Sequence, residues 1–95
     1  MATFIVRVQL SVGTDRNYTL LRDKLIKVGF TKKIVSKEGI AYILPNGNYL
    51  GDSDKTLNEI LTIVRKITAT VDKNPFILVT EAKQKGNAWF NLPTA

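Results

Sequence analysis

The sequence predicts an α+β domain of two layers, an antiparallel sheet with two helices on one face. Three observations predict it. TFIVRVQL (residues 3–10) alternates with the two-residue period of a strand. RNYTLLRDKLIKVGF and LNEILTIVRKI repeat apolar residues with the period of a helix. A β-prone hairpin follows the first helical stretch and FILVTEA follows the second. With 95 residues, 44% hydrophobic and 23% charged, the chain suits one globular domain over 1–95 with a core covered on one side.

In the first strand Phe4, Val6, Val8 and Leu10 line the core face, and Thr3, Ile5, Arg7 and Gln9 the other. SVGTD is a loop whose Thr14 or Asp15 caps the first helix. Tyr18, Leu21, Leu25 and Val28 form that helix's buried stripe, Gly29 closes it, and Phe30 packs back on the last turn. On its outer face Asp23 and Lys27 make an i,i+4 pair, which leaves Arg22 and Lys24 without an acidic partner. KKIVSKEGIAYILP reads as a hairpin turning near Lys37-Glu38-Gly39 and stopped by Pro45, with a further turn at Asn46-Gly47.

NYLGDSD leads into the second helix, capped by Asp52 or Ser53, or by Thr56 in a capping box with Glu59. Leu57, Ile60, Leu61, Val64 and Ile67 are its stripe, while Arg65 and Lys66 face outward. FILVTEA is the fourth strand, with Ile77, Val79 and Glu81 expected beside Arg7 on the uncovered face. KQKGN is a turn and AWFNL a last short strand. The order is that of the ferredoxin-like βαββαβ sandwich, with an extra C-terminal strand.

Composition excludes several chemistries. There is no cysteine and no histidine, which removes thiol nucleophiles, zinc-thiolate sites, Ser-His-Asp triads and histidine-based RNA cleavage. No metal or cofactor is expected. Asp52 and Asp54 in GDSD read as a helix start rather than a cation site, and PNGNYLG lacks the glycine spacing and lysine of a phosphate loop. No apolar run approaches the roughly 20 residues that span a bilayer, and MATFIVRVQL lacks the basic region and cleavage site of a signal peptide. The expected compartment is the cytoplasm, without a membrane partner.

The net charge is +6, and it is concentrated. Residues 16–37 carry seven bases against Asp23 alone, while bases and acids cancel elsewhere. Arg16, Arg22, Lys24, Lys27, Lys32, Lys33 and Lys37, with Arg7 on the uncovered face, are the expected RNA-binding set. That face offers only Tyr42 as an aromatic, so it suits protein contact better than base stacking. Ile5, Ile77, Val79, Trp89 and Phe90 are accordingly the expected homodimer interface. The last strand either adds to the sheet edge of a second protomer or folds back on the fourth strand.

The order TFIVRVQL, YTLLRDKLIKVGF, KKIVSKEGIAYILPNGNYLG, LNEILTIVRKI, FILVTEAKQKGNAWFNL resembles the GhoS family of small bacterial proteins over nearly the whole chain. The resemblance implies a ferredoxin-like fold, similar to the small dimeric CRISPR-associated nuclease. It also implies the role of a type V antitoxin, an endoribonuclease that cuts its toxin's messenger RNA. Arg22 matches an arginine in the corresponding helix and is the candidate catalytic residue on that basis. Where the CRISPR-associated relatives place a metal-binding aspartate, this chain reads VQLSVG, with no carboxylate until Asp15. Two readings stand: a cytoplasmic RNA-binding regulator that cuts or only binds, and a dimeric module or adaptor that binds a partner protein without nucleic-acid activity.

Overall fold

A computed structural model of the chain describes residues 1–82, 89 and 91–95. The elements are β1 (Ala2–Gln9), α1 (Asp15–Ile26), β2 (Lys33–Val35), β3 (Ala41–Ile43), β4 (Asn48–Ser53), α2 (Leu57–Thr68) and β5 (Phe76–Ala82). β1 lies between β4 and β5 and is antiparallel to both. Both helices cover one face of this sheet, the ferredoxin-like two-layer arrangement. Alternation in β1 is as read: Phe4, Val6, Val8 and Leu10 enter the core with Leu21 and Leu25 of α1 and Ile60 and Val64 of α2. Each such side chain contributes about 1.5–3 kcal/mol by leaving water. Among the described residues no helix is long and apolar enough to cross a membrane.

The helix ends follow local chemistry. Thr14 caps α1 by accepting from the Asn17 amide, and Gly29 (φ 95°) turns the chain so that the Phe30 amide reaches the Leu25 carbonyl. Val28, expected in the buried stripe, is exposed because the helix has ended before it. At α2 the capping box wins over the earlier caps: Thr56 Oγ1 accepts from the Glu59 amide, and Glu59 Oε1 from the Thr56 amide. Thr56→Ala is expected to cost about 1 kcal/mol, read as a lower midpoint in thermal unfolding.

The sheet departs from expectation in its third strand. NYLGDS, read as a lead-in to α2, is β4 and supplies the partner of β1, whereas the expected hairpin is a separate two-stranded piece. It is joined to the sheet at Thr31 and Leu50, whose amides and carbonyls exchange two 2.8 Å hydrogen bonds. The glycine within this strand, Gly51, is a packing feature. A Cβ on Gly51 would lie 2.6 Å from the Phe30 ring and 2.8 Å from the Gly29 carbonyl oxygen.

The phase of β5 also differs. Val6 pairs with Val79, Val8 with Ile77 and Phe4 with Glu81, so these β5 residues share the helix-covered side, where Ile77 and Val79 pack against the core. Phe76, Leu78 and Thr80 occupy the open face, opposite Gln9, Arg7 and Ile5. Glu81 therefore cannot pair with Arg7, as expected from the sequence. It stays exposed because β5 is the outer strand of the order β4-β1-β5, where water reaches it from the side.

Among the described residues the end of the chain runs along β3 and makes no backbone hydrogen bond to β5. Pro93 accepts from the Ile43 amide at 2.8 Å and the Ala95 amide donates to Ala41 at 3.0 Å, lining the chain end along β3. Proline has no N–H to give, and here only its carbonyl is used. The expected turn KQKGN, and Ala88 and Phe90 of the expected strand AWFNL, lie outside the described residues, while Trp89, Asn91 and Leu92 are described and are not in a strand.

Candidate nucleic-acid interface

The turn between β3 and β4 organises the surface around it. Gly47 (φ 82°) accepts from the Val8 amide at 2.7 Å, and the Asn48 amide donates to Pro45 at 3.1 Å. Beside it, the Tyr18 hydroxyl accepts from the Leu10 amide at 3.2 Å and ties α1 to the end of β1. Two concavities meet along this ridge. One, of about 150 Å³, is lined by Asp15, Tyr18, Thr19, Arg22, Lys32 and Asn46. The other, a groove of about 510 Å³ on the open face, includes Arg7, Gln9, Asn46, Asn48, Phe76 and Leu78, with Tyr18 at its end. Arg7, Arg22 and Lys32, from three separate parts of the chain, thus gather around one turn.

Within the smaller cavity Lys32 Nζ donates to Asn46 Oδ1 at 2.7 Å. Burial, and then the nearby Arg22 charge, hold the Lys32 pKa below the ordinary lysine value. Arg22 Nε and Nη2 both donate to one oxygen of Asp23, at 3.2 and 3.1 Å. Asp23 therefore pairs with Arg22 rather than with Lys27 among the described residues. Both side chains of that pair are about half exposed, at 44% and 57%, so water competes with it and it yields readily to another anion. Asp15, in the first turn of α1, is the carboxylate in the cavity wall.

Tyr49 lies beneath this region, wholly buried, and its hydroxyl has no hydrogen-bond partner among the described residues. Loss of hydration pushes its pKa up to about 12, Tyr18 adding to the rise and Arg22 opposing it. It therefore keeps its proton at neutral pH. The Arg22 charge disfavours the charged form of Lys32, an effect that an anion in the cavity would offset.

The other expected cations do not join them. Lys24 Nζ donates to Thr70 Oγ1 at 2.6 Å, on the α2 side of α1. Arg16 and Lys27 stand at opposite ends of α1, Lys33 lies in β2, and Lys37 is at the hairpin turn. The 16–37 segment is contiguous in sequence but wraps around a helix and runs out along a hairpin.

Of the residues expected at a dimer interface, Ile5 is on the open face and half-buried. It lines a small cleft with Leu50 and with Ile34, Leu44 and Pro45. Ile77 and Val79 face the helices, a correction to their expected place. Trp89 rests at a tilt on Tyr42, with ring centroids 5.4 Å apart, and Phe90 lies outside the described residues. Sequence reasoning missed Phe76, Asn46 and the Tyr18 hydroxyl. It also missed a cleft of about 830 Å³ beside α2 that includes Arg65, Lys66 and Lys73. The Asn-Gly turn signal was the one legible pointer to Asn46. No protein-family model matches this chain, and no curated protein matches it.

Proposed function

We propose that this protein is a small cytoplasmic RNA-binding regulator whose phosphate contacts lie around the Pro45–Asn48 turn. The observation that carries this reading is the convergence of Arg7, Arg22 and Lys32 on two adjoining concavities. The +6 net charge supports it, since a positive surplus draws a polyanion in before any specific contact forms. The resemblance to the GhoS family supports a regulatory role aimed at a toxin transcript. Arg22 is the residue best placed to stabilise charge on a phosphate entering the smaller cavity.

Fluorescence anisotropy with a labelled single-stranded RNA tests this. With three phosphates engaged, affinity falls on the order of 20-fold between about 50 and about 200 mM salt. The double variant Arg22→Glu, Lys32→Glu weakens binding at least about tenfold and flattens the salt dependence. Arg65→Glu with Lys73→Glu, in the cleft beside α2, leaves both nearly unchanged. Absence of binding at low salt overturns the proposal. Loss confined to the α2 variant moves the site to that cleft.

A further inference from the structure

We propose that the open-face groove of β1 and β5 is a nucleobase subsite, in which an unpaired base of a single-stranded RNA stacks on Phe76. This rests on the RNA-binding reading and names the form of RNA the site takes.

Phe76 is 75% exposed, an apolar ring held in water at the start of a strand. Isolated exposed apolar residues are common, but the surroundings of this one are specific. Gln9 pairs with it directly across the sheet, and Arg7 is its diagonal neighbour, paired with Leu78. Asn46 and Asn48 complete the groove, so a flat ring stands among three amide side chains and a guanidinium. The Gln9 amide carries donor and acceptor together and matches the edge of a base, while the ring face takes any base by stacking. Asn46 adds its Nδ2 and Asn48 its Oδ1, their other amide atoms being held by Lys32 and by the Pro45 and Asn46 carbonyls.

Phe and Arg also occur at protein contacts, so a second copy is the rival occupant. What favours a base is the ring of amides formed by Gln9, Asn46 and Asn48 around Phe76, and the continuity of the groove with the Arg22–Lys32 cavity. The volume of about 510 Å³ lies within the range of small-molecule sites, roughly 300–1,000 Å³. The groove also leads somewhere. It shares Tyr18 and Asn46 with the Arg22–Lys32 cavity, so a base on Phe76 leaves its backbone to run over the Asn46–Gly47 turn toward those cations. A duplex keeps its bases stacked internally and cannot use such a site.

The test compares a labelled 12-nucleotide single strand with a duplex of the same sequence, on the wild-type protein and on Phe76→Ala and Phe76→Tyr. Phe76→Ala is expected to weaken single-strand binding roughly 5- to 150-fold with an unchanged salt slope, since stacking is lost and no charge is removed. Phe76→Tyr keeps the affinity, and duplex binding is weak in all three proteins. An exposed position keeps the fold intact, which thermal unfolding verifies. Salt-dependent binding that is equal for wild type and Phe76→Ala overturns the base subsite and leaves the RNA reading standing. Binding of neither RNA by wild type removes both. A change in mass by sedimentation with unaltered RNA affinity overturns the subsite and makes Phe76 a contact between copies.

Discussion

Gly47→Ala is expected to lower the unfolding free energy by about 3 kcal/mol, a fall of roughly 10–20 °C in the thermal midpoint of a domain this size. Two costs combine. The backbone there has φ 82°, where a side chain strains against its own carbonyl. A Cβ would also lie 2.1 Å from the Val8 carbonyl oxygen and 3.3 Å from the Tyr18 ring. The first obstacle is backbone of the central strand and cannot step aside, so the turn must lift off β1 and surrender the 2.7 Å bond between Gly47 and the Val8 amide. Gly39 provides the internal comparison. It has the same φ of 82° with nothing within 4 Å of an added Cβ, so Gly39→Ala bears only the conformational cost, about 1 kcal/mol. Equal midpoints for the two variants would show that the turn does not press on Val8. Because the turn separates the two concavities, the proposed RNA site predicts that Gly47→Ala weakens RNA affinity at temperatures where the protein remains folded.

Asp72→Ala is expected to lower the midpoint on the order of 10 °C, for a different reason. The residue is buried at 6% exposure just after α2. Its carboxylate accepts from the Ser11 hydroxyl at 2.6 Å, the Val12 amide at 2.9 Å and the Asn74 amide at 2.9 Å. It thereby joins the loop after β1 to the loop before β5, and removing it strands their donors. The Ser11 hydrogen bond, then the Val12 amide, hold its pKa below the ordinary value of 3.8, against the opposing effect of desolvation. A carboxylate lowered on folding stabilises the protein above its unfolded-state pKa. That contribution fades as pH falls below the ordinary value and is gone once pH has passed the lowered one. Asp72→Asn does not titrate, so the gap in midpoint between wild type and Asp72→Asn should narrow as pH drops from about 6 to about 3. A gap constant over that range would mean that the charged form gains nothing from folding.

Some of this was legible in the residues and some was not. The alternation in TFIVRVQL sorted β1 correctly because polar Arg7 and Gln9 alternate with apolar Val6, Val8 and Leu10. FILV, at the start of β5, has four apolar residues in a row and therefore no phase. The polar Glu81 suggested a phase, and it was the wrong one, because on an outer strand a carboxylate reaches water from either side. That single inversion put Ile77 and Val79 on the open face and hid Phe76 from it. β4 was hidden by composition: Asn, Gly, Asp and Ser depress strand propensity, and pairing with β1 overrides them.

The cations show the same division. Their number and their crowding between residues 16 and 37 are properties of the sequence alone, and so are the helix caps at Thr14 and Thr56, which depend on neighbours three residues away. Which cations meet is a property of the fold. Lys24 and Arg22 are two residues apart yet lie on opposite flanks of α1, one on Thr70 and one beside Lys32. Arg7 enters their company only because the Asn46–Gly47 turn is pressed against the end of β1. Local periodicity and capping follow from interactions a few residues long. The juxtaposition of residues 7, 22 and 32 depends on strand register and on one close backbone approach, contacts between distant parts of the chain that no local pattern encodes.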